Sequence, residues 1–391
     1  MTPRILVLAG YFEPGHKGGG PVQSLSNLVE AIGNNVDFRV VANDRDLGDT
    51  KPYPNIIAKQ WLERMRYKII YLPPRRLSAR RMLRLIREVN PTAIYGTGFF
   101  AYRYSILPAI LRRLGLISKA LPLIIAPRGE FSPSALAHRA WKKRAFLHVA
   151  KLLKLHSGVT WHATTAAEAM QILETVDERG DVHIVQNLAA DPSLYEWTKE
   201  TPKLKGQLDV AWVSRVHPIK NLAEAIRIVQ RVRGDVTFTI FGPVEDAKYW
   251  SECVALAHSP RPGRRVVVKY GGEVAHQDVV PTFQKAHVFL FPTSGENFGH
   301  VIIEALMGGC PVITSDQTPW HDLEREGVGF SIPLRDENRF VEVLQNYADM
   351  TAEEYEDVSR KAFEYSRRQA DRPREIREYR ALFKQEATVQ P

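Results

Sequence analysis

The chain is poor in cysteine, with only Cys253 and Cys310 among 391 residues, and both lie in apolar stretches. That excludes a disulfide framework and a thiolate zinc site, and it predicts buried thiols in a reducing compartment. No apolar run approaches the ~20 residues of a membrane-spanning helix. The first strand-like run, Arg4 to Ala9, follows the start directly, without a signal-peptide pattern. The expectation is a cytoplasmic protein. Acidic residues are scarce in one region: residues 51–150 hold 3 of them against 20 basic ones, within a chain of formal net charge +9. Such a region fits nucleic acid, an anionic membrane surface or an anionic substrate. No G-x-G-x-x-G run is present, so a dinucleotide fold has no fingerprint here. Repeats and low-complexity tracts are absent as well.

What is there is alternation. Arg4–Gly10 reads as a buried parallel strand. A glycine-rich loop, Tyr11 to Pro21, follows it and leads into a helix carrying Val22, Leu25, Leu28, Val29 and Ile32. Glycines there let backbone approach a phosphate. Further strands are predicted at Phe38–Ala42, Tyr67–Leu72, Ala93–Gly96, Leu121–Ala126, Val159–Ala163 and Val182–Gln186. Helices are predicted at Ala79–Val89 with Ser78 as N-cap, at Tyr102–Leu114, and from Ser132-Pro133 to Leu155. The run Arg80 to Arg87 is both basic and apolar, a combination that suits contact with anionic lipid. Glu168 reads as a helix-dipole charge in a helix starting near Thr165. Asp191 to Gly206 reads as a linker. The alternation then restarts with strands at Val210–Ser214, Val236–Phe241, Arg265–Tyr270, His287–Phe291 and Pro311–Thr314, and ends in a helical tail from Thr351 to Lys384.

Two stretches of the second half carry chemistry. In Ser214–Asn221, Arg215 and Lys220 sit between a strand end and a helix that Asn221 can cap, a place suited to a diphosphate. Phe291–Ile313 reads as strand, polar loop, helix from Phe298 to Met307, glycine stop and strand. Glu296 lies in its loop, and Phe298 and Gly299 at the helix start, where amides favour an anion. Glu304 follows Glu296 by eight positions, a turn of roughly 80° on a helix, so the two carboxylates share a broad side. Two ionised carboxylates suit a ligand rich in hydroxyls.

This stretch resembles the E-x7-E signature of retaining glycosyltransferases of the GT-B fold, the large family-four group. Ser315-Asp316-Gln317-Thr318-Pro319-Trp320 resembles a subgroup from bacterial polysaccharide and O-antigen clusters. The resemblance implies an α/β chain of two Rossmann-like doubly wound parallel-sheet domains facing a cleft. The expected division is 1–190 as the acceptor-side domain, 191–206 as linker, 207–365 as the nucleotide-sugar domain, and 366–391 as a helix crossing back to the first domain. It implies that Gly19 and Gly20 lie under the donor diphosphate and sugar, and that Arg215 and Lys220 bind its phosphates. The backbone near Glu273 and Val274 would meet the base. Glu296 with Asn297, Phe298 and Gly299 would hold the sugar and diphosphate, and Glu304 the ribose hydroxyls. Arg128 stands where many members carry a histidine between proline and glycine, and is assigned instead to an acceptor phosphate. His138, further on, is read as structural, and Asn187 follows the Val182–Gln186 strand where the family carries Pro-Asn-Gly, with no role assigned.

The function expected is retaining transfer of a hexose-type sugar from a UDP- or GDP-type donor to a glycan or polyprenyl-diphosphate-linked acceptor in surface polysaccharide assembly. No cofactor and no metal are expected, two side-chain cations taking the metal's place. The partners expected are the nucleotide sugar, the acceptor and an anionic inner-membrane surface, with no nucleic acid. The alternatives are a sugar-nucleotide epimerase or a phosphorylase of the same fold, a basic nucleic-acid- or membrane-binding protein without catalysis, and a scaffold that keeps only the fold. A phosphorylase would need a pyridoxal lysine, for which no convincing position is seen. A nucleic-acid reader would need interleaved exposed aromatics and leaves the acidic motif unexplained.

Overall fold

The computed structural model describes residues 2–15, 17–54, 56–132, 135–136, 140–176, 180–198, 201–258, 265–370 and 373–384. His138 and Pro133 lie outside the described residues. The chain divides into two compact units, one of Met1–Leu188 with Arg372–Pro391, the other of Ala189–Asp371.

The first unit contains strands β1 Arg4–Leu8, β2 Asp37–Asn43, β3 Trp61–Glu63, β4 Tyr67–Leu72, β5 Ala93–Thr97, β6 Leu123–Ala126, β7 Thr160–Ala163 and β8 Asp181–Ile184. Their order in the sheet is β3-β4-β2-β1-β5-β6-β7-β8, parallel throughout except for the short edge strand β3. Helices α1 Gly20–Ile32, α2 Ala79–Val89, α3 Leu107–Arg113, α4 Ala140–Leu152 and α5 Ala166–Thr175 connect them. The central strands β1, β5 and β6 are apolar on both faces because helices cover both. Leu6, Leu8 and Ile94 enter one core, and Ile5, Val7 and Tyr95 enter the other. A five-residue π-helical turn, Tyr102–Ile106, precedes α3, so the predicted Tyr102–Leu114 helix starts as a wider coil.

The second unit contains β9 Gln207–Val213, β10 Asp235–Phe241, β11 Arg265–Gly272, β12 Val288–Phe291, β13 Val312–Ser315 and β14 Gly329–Ile332, in the order β11-β10-β9-β12-β13-β14. Every pairing in this sheet is parallel. Its helices are α6 Leu222–Val229, α7 Ala247–Ala257, α8 Val279–Gln284, α9 His300–Met307, α10 Glu337–Asp349 and α11 Ala352–Gln369. Residues 191–206, expected as a linker, include a short 3-10 turn at Pro192–Leu194 and belong to this unit. Lys203 is buried there, its ammonium donating to the carbonyls of Leu204 (2.8 Å), Ala348 (2.9 Å) and Met350 (3.2 Å), which satisfies the end of α10. The predicted tail helix is two: after α11 the chain restarts as α12 Pro373–Lys384, whose Tyr379, Leu382 and Phe383 are buried in the core of the first unit.

Both sheets reverse direction of growth beside their first strand, between β1 and β5 and between β9 and β12. In open parallel sheets the crevice at the carboxyl ends of such a strand pair is where ligands bind. The β9/β12 reversal brings two chain segments about 75 residues apart to one edge, with Val288 opposite Val210 and Phe289 opposite Ala211.

Candidate active site

The loop after β9 carries Arg215 and Lys220, and the loop after β12 carries Glu296. Because β9 and β12 are neighbours, these loops emerge side by side. The Ile219 carbonyl joins them, accepting from the Ser294 amide at 2.8 Å and the Thr293 hydroxyl at 3.2 Å. The joint places the Lys220 ammonium directly on the Glu296 carboxylate. Both side chains are largely buried, at 11% and 18% exposure, so the pair attracts more strongly than a surface ion pair would. The Phe291 ring lies 5.6 Å beneath the same ammonium and supports it.

The third wall comes from the segment after β13. The Ser315 hydroxyl donates to the Thr293 carbonyl, and the Thr314 hydroxyl to the Phe291 carbonyl at 2.9 Å. The Glu296 amide donates to the Gln317 carbonyl at 3.1 Å. Trp320 closes this wall, its indole N–H donating to the Phe298 carbonyl at 2.7 Å. A Cβ on Gly299 would come within 3.3 Å of that indole nitrogen and 3.0 Å of Ile302, at a backbone φ of +77°. Glycine is therefore required at this position. Thr293 and Trp320 are site-building residues that the residue-by-residue reading did not single out; the resemblance drawn on Ser315–Trp320 was the available signal.

Several expectations are corrected here. Helix α9 starts at His300, with Gly299 as its left-handed N-cap, so Phe298 and Gly299 are loop residues rather than first-turn residues. Asn221 occupies the N-cap position of α6 at φ +57°, but its side chain makes no cap bond; the Ala223 amide donates instead to the Tyr249 hydroxyl at 2.9 Å. Arg215 does not share the Glu296 carboxylate: its guanidinium pairs with Glu245 at 2.6 Å, an acid on the loop after β10. Nor is Glu304 an ordinary ionised carboxylate. It is buried on α9, and burial pushes its carboxyl up to about 7 from the usual 4.5. Its facing basic group is His276, with Nδ1 at 3.7 Å. Val274 follows β11 and packs, half-buried, against the core of this unit.

The first-unit candidates are placed as follows. Gly19 (φ +65°) is the N-cap of α1, its carbonyl accepting from Val22 at 3.0 Å and Gln23 at 3.3 Å, and Gly20 opens the helix. A D-x-D triplet, Asp44-Arg45-Asp46, follows β2. Its acids serve the local loop, Asp46 accepting from the Leu47 amide at 2.7 Å and the Lys17 amide at 2.9 Å, and Asp44 pairing with Arg45 at 2.8 Å. Among the described residues no group of three or more His, Cys, Asp or Glu side chains is placed to hold a metal ion.

Arg128 takes φ +56° after β6, and its guanidinium is directed inward. One terminal nitrogen donates to Asn187, the other to the Tyr95 hydroxyl at 2.7 Å, which in turn lies 2.8 Å from His162 Nδ1. Both terminal groups are thus used inside the unit, so the assignment of Arg128 to an acceptor phosphate is not carried forward. Glu168 is likewise more than a dipole charge. Its buried carboxylate accepts from the amides of Gly129 (2.6 Å) and Thr164 (2.7 Å) and from the Thr164 hydroxyl (2.6 Å), which pins the Arg128–Gly129 turn. Replacing Arg128 with leucine is expected to destabilise the first unit by about 2–4 kcal/mol, because Tyr95 and Asn187 lose a charged partner. Urea unfolding checks this; an unchanged midpoint would refute the structural role.

Comparison with known proteins bears on both units. The family described as Glycosyl transferases group 1 matches residues 207–349, the span that holds Arg215, Lys220, Glu296 and Glu304. A search of curated proteins gave no match. Among solved structures, the chain is similar to sucrose-phosphate synthase from Thermosynechococcus elongatus, at 16% identity and TM-score 0.72 over 98% of each chain. It is similar to Anabaena HepE in complex with UDP and glucose, at 14% identity and TM-score 0.68 over 98% of this chain and 100% of that one. It is also similar to WaaG, a glycosyltransferase involved in lipopolysaccharide biosynthesis, at 14% identity and TM-score 0.63 with the same coverage. The chain therefore has the GT-B fold of two parallel-sheet α/β units, and residues 207–349 of its second unit match the family described as Glycosyl transferases group 1.

Proposed function

We propose that the protein is a retaining glycosyltransferase that moves a hexose-type sugar from a nucleotide diphosphate sugar, of UDP or GDP type, to a glycan or polyprenyl-diphosphate-linked acceptor in surface polysaccharide assembly. The observation that carries this reading is the direct Lys220–Glu296 pair, built from two loops that the β9/β12 reversal brings together. A cation and a carboxylate held together at a strand end suit the two parts of such a donor, its anionic diphosphate and its hydroxyl-rich sugar. Glu296 takes the sugar hydroxyls, and Lys220 takes the diphosphate as negative charge develops on it. Arg215 adds a second cation once the diphosphate competes with Glu245. Glu304 binds the ribose hydroxyls. UDP-glucose is bound by the similar HepE structure, which supports a donor of this class.

In the transfer, the bond from the anomeric carbon to the diphosphate oxygen breaks through an oxocarbenium-like transition state. The acceptor hydroxyl forms the new bond from the same face, and its proton passes to the departing diphosphate oxygen. The site of action is the cytoplasmic membrane face, and no metal is required in this scheme.

A panel of UDP-, GDP- and dTDP-sugars, scored by thermal shift and by slow hydrolysis, tests the reading. One nucleotide class is expected to raise the melting temperature by several degrees at saturating concentration and to be hydrolysed. A panel without a stabilising donor would refute it.

A further inference from the structure

The sequence directs attention to the basic run in α2 as the lipid-facing element, but the structure uses its apolar side internally. Met82, Leu85 and Val89 are buried, and Leu83 and Ile86 pack against the same core, which leaves α2 a purely charged outer side. Single apolar residues such as Met65 and Met170 are exposed on the first unit, but a group of them lies on α4 and beside the end of α3.

Helix α4 has two apolar sides. Phe146, Leu147 and Ala150 pack inward. Trp141 and Leu152, eleven positions apart, fall within roughly 20° of one line along the outside, and they are 72% and 76% exposed. Val149 flanks that line at 51% and Leu153 follows it at 56%. The end of α3 joins this surface through the Arg113 guanidinium, which donates to the Leu153 carbonyl at 3.0 Å. Leu114 and Leu116, next along the chain, are 67% and 56% exposed. Singly exposed apolar residues are ordinary, but six large ones around one junction are not. Arg144, Lys151 and Lys154 edge the outer line of α4, and between Tyr102 and Gly158 the only acid is Glu130. That acid is turned inward, onto the Phe100 amide at 2.9 Å.

We propose that the outer side of α4, with the α3 end beside it, is a docking surface for an anionic lipid bilayer. Trp141, Val149 and the leucines enter the headgroup–acyl boundary while the flanking lysines and arginines meet lipid phosphates. Tryptophan at one end of an outward line and basic residues along its edges form the pattern of a helix that lies in the plane of an interface. Charge selects this occupant: a basic segment whose one acid, Glu130, is turned inward matches a negatively charged bilayer, whereas a second copy of the segment would place like charge against like. The inference deepens the proposed function and rests on it for its purpose, which is to hold the enzyme where a lipid-linked acceptor is presented.

The test is vesicle flotation of the full chain, with phosphatidylcholine alone or mixed with phosphatidylglycerol, and donor hydrolysis without lipid measured in parallel. The wild type is expected to float with the anionic vesicles only, and to release at ~0.5 M salt. Trp141→Ser with Leu152→Ser is expected to lose binding by at least ~10-fold with its melting temperature and lipid-free hydrolysis unchanged, while Arg80→Ser with Arg84→Ser keeps most of its binding. Wild type that ignores anionic vesicles, or a Trp141/Leu152 variant that binds as well as wild type, would overturn the surface. So would a wild-type dimer by sedimentation that the same variant dissociates without any vesicle binding. Failure of hydrolysis alone, with flotation as expected, would overturn the transferase reading and leave the surface standing.

Discussion

Lys220→Ala is expected to slow sugar transfer by on the order of 10²–10³-fold and to weaken binding of the free nucleoside diphosphate. Glu296→Gln is expected to slow transfer by a similar factor while leaving diphosphate binding unchanged or tighter. The difference follows from the ion pair. In the structure the Lys220 ammonium rests on the Glu296 carboxylate. A bound diphosphate must draw the ammonium away, so neutralising Glu296 removes a competitor, whereas removing Lys220 removes the phosphate's partner. Lys220→Ala also strands a largely buried carboxylate, at a cost on the order of 3 kcal/mol. The double variant Lys220→Met/Glu296→Gln should recover much of that stability and none of the activity. Calorimetric titration with the nucleoside diphosphate, kcat and KM for the donor, and thermal melts separate these effects. Equal loss of diphosphate binding in the two single variants would mean that the pair only ties two loops together.

The strand–helix alternation, and with it the placing of Lys220 and Glu296 on loops at strand ends, was legible in the sequence because it depends on local pattern; the direct pairing of the two side chains, 76 positions apart, was not. Buried parallel strands read as short apolar runs, and a loop between such a run and a helix must lie at the sheet's carboxyl edge. Elements formed by distant partners were not legible. Strand β3 exists because Trp61–Glu63 finds β4 antiparallel, and β14 because Gly329–Ile332 finds β13, which no local period records. The same limit explains Arg128. In the sequence a guanidinium after a strand resembles a phosphate ligand, and only the fold brings Tyr95 and Asn187 within its reach. Glu304 shows the limit from another side: helical spacing gave its direction, but its ionisation depends on burial, which spacing does not encode. The apolar residues of α2 and α4 look alike as composition, and packing alone turns one set inward and leaves part of the other exposed.

Glu304 makes stability fall as pH rises. Its folded carboxyl titrates at about 7, against an ordinary value of 4.5, because burial disfavours the charged form. Between those two values the folded protein holds a proton that the unfolded chain has already released, so raising the pH across this window favours unfolding. The loss is complete above about 7 and amounts to on the order of 3 kcal/mol for the whole window. It is partly offset wherever His276, 3.7 Å away, carries charge and favours the carboxylate. Glu304→Gln removes the titration and should flatten urea-unfolding midpoints measured across this window; a variant with the wild-type slope would refute the assignment. A donor whose ribose diol donates to this carboxyl stabilises the charged form, so nucleotide binding near pH 7 should release protons. Titration calorimetry in buffers of different ionisation enthalpy should detect that release in the wild type and find it missing in Glu304→Gln. Proton release of the same size in both proteins would place the ribose on another group.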